Sequence, residues 1–209
     1  MFSSLRKLFA SEPDPREARR PLWNAVVVTA RAPHWYARGT VPDTLDGRFD
    51  MISLVMALVL HRIDDEPAHG LAGVQLTELF VNDMDGQMRQ IGFGDMVVGK
   101  QVGRMMSALG GRLGAYRAAD GSAELREALI RNLWRGNAPP EAGLAHVMTE
   151  VATLRAALAP PPVSELVGGA RIDIDRPLLQ VGSGVRDPGD PGPRGGGQDQ
   201  GQQHGQPRQ

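Results

Sequence analysis

The sequence has no cysteine. Disulfides, iron–sulfur ligation and thiolate catalysis are therefore excluded, and a reducing compartment is allowed. It has almost no period-two alternation of apolar and polar residues, so strands are not expected. Charge of either sign is not in excess: the formal net charge is −1 at pH 7, too little to drive sequence-independent nucleic-acid binding. The longest apolar run, Met51–Leu60, is far short of the roughly 20 residues that span a bilayer. The N-terminal stretch reaches Glu12, Pro13 and Asp14 without the long apolar core of a secretory signal. These absences predict a soluble, cytoplasmic protein, at most peripheral to the inner face of the membrane.

Chemistry-bearing motifs are equally scarce. No serine stands in a Gly-x-Ser-x-Gly elbow outside or inside the apolar region, and Gly182-Ser183-Gly184 lies where nothing orients a base. Gly94-Asp95-Met96-Val97-Val98-Gly99-Lys100 fits the first part of a phosphate-binding loop. The next position must be Ser or Thr to hold magnesium, and it is Gln101; a helical pattern, not a strand, precedes it. Asp83-Met84-Asp85 pairs two carboxylates, but neighbours on a helix diverge by about 100°, and Asp85 is better placed to pair with Arg89 at i, i+4. The five histidines, His34, His61, His69, His146 and His204, never recur at i, i+3 or i+4, so a zinc site would require the fold to bring them together. No cofactor, metal or catalytic residue is expected.

What the chain does have is a 209-residue length, 41% hydrophobic, with nearly all large apolar residues between about Pro21 and Leu158. Spacing predicts helices over Pro21–Arg31, despite the strand-favouring Val26-Val27-Val28; around His34-Trp35-Tyr36; from Asp43 or Thr44 to Ile63; and from Ala68 to Ile91, with Leu71, Val74, Leu79, Met84, Met88 and Ile91 inward. A further helix, capped by Asp95, carries Val98, Val102, Met105, Met106 and Leu109 and breaks at Gly110-Gly111. Leu113 and Tyr116 fall in a separate segment. The last two helices follow Asp120-Gly121-Ser122 and run over Pro140–Leu158. The fold class is all-α: a single compact helical domain of about six or seven helices with a disordered C-terminal tail. Residues 1–20 form an amphipathic, flexible segment whose face Phe2, Leu5, Leu8 and Phe9 with Arg6 and Lys7 suits an anionic membrane surface. Residues 21–159 form the domain, 160–181 a Pro-rich linker and short arm, and 182–209 a Gly/Pro/Gln tail too poor in apolar residues to order.

Pro42-Asp43-Thr44-Leu45-Asp46-Gly47-Arg48-Phe49-Asp50, leading straight into Met51–Leu60, joins an acid-rich helix start to a segment too apolar for a surface helix. It marks a buried central helix with charges at its mouth. Methionines spread through the helical region offer adaptable apolar contacts. Trp35 and Tyr36, between Pro33 and Gly39, are candidates either for an exposed aromatic anchor or for lids on the core.

Pro33-x-Trp35-Tyr36, Val41 to Ile52, Asp83-Met84-Asp85 and Gly92 to Val102, in this order and spacing, resemble the ubiquinol–cytochrome c chaperone family in its bacterial, α-proteobacterial type. The resemblance covers about Pro21 to Leu158. It implies an α-helical assembly factor without catalytic activity. Mitochondrial relatives bind newly made cytochrome b and help it enter the ubiquinol–cytochrome c reductase complex, with a small partner subunit at the ribosome; that subunit is not carried over. Where the family often has an aromatic-Gly-Arg sequence, this chain reads Leu109-Gly110-Gly111-Arg112. On this reading the partner is newly synthesised cytochrome b, with the ribosome or membrane surface as further contacts and no sequence-specific nucleic acid. The client surface is expected on the helices containing Phe49–Ile63 and Met84–Met106. Candidate residues are Trp35, Tyr36, Asp46, Arg48, Phe49, Asp50, Asp83, Asp85, Arg89 and Lys100. The alternatives are a helical adaptor for a soluble partner and a metal- or nucleotide-dependent enzyme.

Overall fold

The computed structural model describes residues 14–90, 92, 94–119 and 121–168. The expected N-terminal face, the arm at Arg171–Val181 and the tail from Gly182 lie outside the described residues, as do Ile91, Phe93 and Asp120. Helices α1 (Arg20–Ala30), α2 (Pro33–Ala37), α3 (Leu45–Asp64), α4 (Gly70–Gln90), α5 (Asp95–Arg117), α6 (Ser122–Leu133), α7 (Glu141–Leu158) and α8 (Val163–Val167) follow one another, with 3₁₀ turns at Pro15–Arg19 and Pro67–His69. The described residues contain no strand.

Helix α3 is the axis. Every residue from Met51 to Leu60 is buried, so this helix has no solvent face along that length and must be enclosed. It packs against α1, α4, α5, α6 and α7. Its start is fixed locally. Thr44 is in extended conformation and its hydroxyl accepts from the Gly47 N–H at 3.1 Å, while Asp46 sits in the positive first turn. The chain leading in folds back tightly: a Cβ on Gly47 would lie 1.9 Å from the Pro42 carbonyl oxygen. A glycine is required there because no side chain fits. At the other end, Arg62 donates to the carbonyls of Leu158 and Pro161, 3.1 and 3.0 Å away, tying α3 to the end of α7.

Several expectations are corrected. In α4, Leu71 and Val74 are 70% and 55% exposed; the buried stripe is Ala72, Leu76, Leu79, Phe80, Met84 and Met88, a phase that the leucine at position 71 masks. Gly94, not Asp95, is the N-cap of α5. The pair Gly110-Gly111 does not break α5, which runs unbroken to Arg117. Both glycines are exposed and cost roughly 1 kcal/mol each in a helix, whereas Leu109 and Tyr116 on either side are each 1% exposed, and burying a large side chain returns about 1.5–3 kcal/mol. Val26-Val27-Val28 is helical because Trp23 and Val26 pack into the core, and packing overrides a weak propensity. Helix α8 was not visible as a pattern: it is one turn, placed by burial of Val163, Leu166 and Val167 and by Arg19, which donates to the Val167 carbonyl.

His61, near the end of α3, reaches across to α5. Its Nε2 stands 3.0 Å from the Leu113 carbonyl oxygen, so that nitrogen carries the proton. Burial holds its pKa below the ordinary histidine value, against a smaller opposing pull from that carbonyl. The native state therefore resists a proton that the unfolded chain accepts near pH 6.5. The stabilisation is complete above that pH and fades as pH falls below it.

Two outcomes are expected. Gly47→Ala should lose at least about 2 kcal/mol in urea unfolding, whereas Gly86→Ala in α4, where a Cβ meets nothing within 4 Å, should be neutral or gain up to about 1 kcal/mol. The fall in unfolding free energy between neutral pH and about pH 5 should be shallower in His61→Gln than in the parent chain.

Candidate functional site

A narrow apolar cavity of about 110 Å³ opens at the mouth of α3. It is walled by Leu45, Phe49 and Ile52 of α3, Met84, Gln87 and Met88 of α4, and Met105 of α5, with Arg31 and Arg48 at its edge. The wall is adaptable because methionine side chains repack at little cost. Leu45 is 55% exposed at the mouth. The Phe49 ring lies 6.1 Å from that of Phe80, and the Arg112 guanidinium stands over the Phe49 ring at 5.3 Å from its centre. A broader groove of about 540 Å³ shares Arg31 and Arg48 with this cavity and continues over Pro33, Tyr36, Ala37 and Asp43. Arg48 is held by Asp43 at 2.6 Å. Arg31 has no ion-pair partner among the described residues, so the shared edge carries positive charge.

Beneath Phe49 lies a buried polar cluster. Asp50 is 1% exposed and accepts from Arg112 of α5. Arg135, just past α6, lies 3.7 Å from the other Asp50 oxygen and 3.0 Å from Asp46. Burial pushes the Asp50 carboxyl above its ordinary value, opposed by the two guanidinium groups. Burial also raises the Tyr116 phenol. The hydrogen-bonding capacity is incompletely used: among the described residues Asp50 Oδ2 and Arg112 Nε are buried without a hydrogen-bond partner. Arg112 thus serves two tasks, neutralising Asp50 and covering Phe49, so α5 sets the position of the cavity wall.

The residues singled out from sequence divide into groups. Tyr36, Arg48 and Phe49 line the two connected cavities, and Tyr36 donates its hydroxyl to the Ala30 carbonyl at 2.9 Å. Trp35 is 1% exposed and donates to the Thr29 carbonyl at 2.7 Å; it is a core residue and not an exposed anchor. Asp50 is interior and cannot belong to a surface rim. Asp83 accepts from the Trp23 indole at 2.9 Å, clamping α1 to α4. Asp85 and Arg89 pair at 2.6 Å along α4, as their spacing indicated. Asp46 and Lys100 are exposed. Sequence reasoning missed Arg31, Gln87, Arg112 and Arg135. Arg112 falls on the buried side of α5 between Leu109 and Tyr116, a signal that was lost once the helix was broken at Gly110-Gly111.

The fold brings two of the histidines together. His34 of α2 and His146 of α7 meet, with Nδ1 and Nε2 3.0 Å apart, and Glu150 is 3.9 Å from the other His146 nitrogen. Burial lowers both imidazole pKa values. The stretch Gly94–Lys100 is the start of α5 following helix α4, so the strand that a phosphate loop requires is absent.

An enclosed central helix, a methionine-lined cavity at its mouth and buried charges that position the wall define a helical binding protein. No helix among the described residues is long and apolar enough to cross a membrane. The model of the ubiquinol–cytochrome C chaperone family matches residues 37–170, and the chain belongs to that family. It is similar to a solved structure, that of the Cbp3 homolog from Brucella abortus, at 30% identity and a TM-score of 0.66, over 83% of this chain and 96% of that one. A search of curated proteins finds no match. The family and this relative support a role as a chaperone or assembly factor for the ubiquinol–cytochrome c reductase complex.

Arg112→Met should cost about 3–5 kcal/mol by stranding the Asp50 charge. Adding Asp50→Asn to that variant should restore much of the loss in chemical unfolding, so the two effects are strongly non-additive.

Proposed function

We propose that this chain holds newly made cytochrome b and supports its entry into the ubiquinol–cytochrome c reductase complex, without catalysing a reaction. The observation that carries the reading is the cavity formed by Phe49, Ile52, Met84, Met88 and Met105, within the stretch matched by the family model. A membrane protein before insertion exposes apolar helices, and a holder needs an adaptable apolar surface with a polar edge. The occupant we assign is an apolar segment of cytochrome b, entering past Leu45 and presenting a carboxylate to Arg31, since Arg48 is already paired with Asp43.

In this reading the candidate residues have different parts. Tyr36, Arg48 and Phe49 touch the client. Asp46, Asp85, Arg89 and Lys100 form the outer polar edge. Trp35, Asp50 and Asp83 act indirectly, by fixing α2, α3 and α4. The protein works at the cytoplasmic face of the membrane, where the client is inserted, and its contacts with ribosome or lipid surface are peripheral to the groove. No sequence-specific nucleic acid is involved. The chaperone domain expected over residues 21–159 takes in α8 as well, since Val163, Leu166 and Val167 belong to its core.

Co-purification from the native host tests the assignment. Leu45→Asp and Arg31→Glu should each reduce recovered cytochrome b about tenfold, the equivalent of about 1.4 kcal/mol, with helicity by circular dichroism unchanged. Leu71→Asp and Val74→Asp, which alter exposed apolar residues elsewhere on α4, should leave recovery intact. Undiminished recovery in the first set would remove the groove from the account.

A further inference from the structure

His34, His146 and Glu150 form a cluster that the chaperone reading does not use. Each can direct one ligand atom inward, and these atoms all lie within 4.8 Å of one another. His146 and Glu150 share a face of α7 at i, i+4, and His34 comes from α2 across the interface. The imidazole rings stand nearly perpendicular, 88° apart with centres 5.2 Å apart. Side-chain exposures of 14% for His146 and 29% for Glu150 leave the cluster sheltered yet reachable.

We propose that His34, His146 and Glu150, each giving one ligand atom, bind a single zinc ion, or a similar divalent cation that prefers imidazole, with water as the fourth ligand. Ligand atoms on tetrahedral zinc with bonds of about 2.0–2.1 Å lie ~3.3 Å apart. The three ligand atoms, within 4.8 Å of one another, must close onto that spacing, which rotation of the side chains permits. The hydrogen bond that now joins the rings must break, and each ring binds as the tautomer whose proton sits on its non-ligating nitrogen, so both imidazoles stay neutral and no net proton is lost. Two imidazoles and one carboxylate suit zinc better than calcium or magnesium, which take oxygen ligands. One group opposes binding: the Arg38 guanidinium lies 3.8 Å from Glu150 and competes for its carboxylate. The ion would join α2 to α7, next to Trp35, whose ring is 4.4 Å from that of His34.

Cobalt(II) titration of the full chain tests this, read by the visible absorption of tetrahedral cobalt and by quenching of tryptophan fluorescence. One equivalent should bind and be displaced by zinc. His34→Gln and His146→Gln should each weaken binding by at least about 100-fold. Arg38→Gln, a surface change that leaves the core untouched, should tighten it several-fold. His61→Gln, His69→Gln and His204→Gln should change nothing. Absence of a one-equivalent tetrahedral signal overturns the site, as does a signal that survives in the folded His34→Gln/His146→Gln double variant.

Discussion

The enclosure of α3 is the constraint on which the rest of the structure depends. A helix apolar on every side from Met51 to Leu60 is stable only when surrounded, and five other helices supply that surround. Their arrangement is not free. The length of α3 sets where α4 and α5 cross it, and the fold-back at Gly47 sets where its first turn emerges. Burial of this one helix therefore decides which side chains meet at its mouth.

At that mouth the packing is deliberately incomplete in one respect and over-determined in another. Methionines from α4 and α5 leave a small apolar cavity against Phe49 and Ile52, where a well-filled core would have none. Close by, Asp50 is carried into the interior and must be neutralised there. Arg112 does so while lying over Phe49, so electrostatics and cavity shape are coupled through one guanidinium. Left-handed backbone at Thr40 and Arg135, both with φ of 54°, belongs to the same end of the molecule. Trp134 donates to the Thr40 carbonyl at 3.0 Å, and Arg135 reaches Asp46 and Asp50. Non-glycine residues in this conformation persist only where neighbours hold them.

Much of this was legible in the sequence. A cap at Asp43 or Thr44, which falls at Thr44, the buried run Met51–Leu60 and the family resemblance all rest on local pattern, which a single chain displays directly. The pairing of Asp85 with Arg89 follows from helical geometry alone. The misses share a physical cause: they need two elements to meet. His34 and His146 stand far apart in sequence and touch only because α2 packs on α7. Arg112 acquires meaning only opposite Asp50. Trp35 reads beside Pro33 and Gly39 as either an anchor or a lid, and the Thr29 carbonyl that receives its indole N–H in the core decides for the lid. The break assigned at Gly110-Gly111 fails for the same reason, since local propensity argued for an end while tertiary burial of Leu109 and Tyr116 carried the helix through.

The central claim is that the cavity at the mouth of α3 receives the client. A photo-activated crosslinking amino acid placed at Leu45, in cells assembling the respiratory complex, tests it most directly, with the same group at Val74 for comparison. Both positions are exposed and both sit on helices packed to the core. Mass spectrometry should find the Leu45 adduct on an apolar segment of cytochrome b and no such adduct from Val74. Equal labelling from the two positions, or labelling from Val74 alone, would contradict the account.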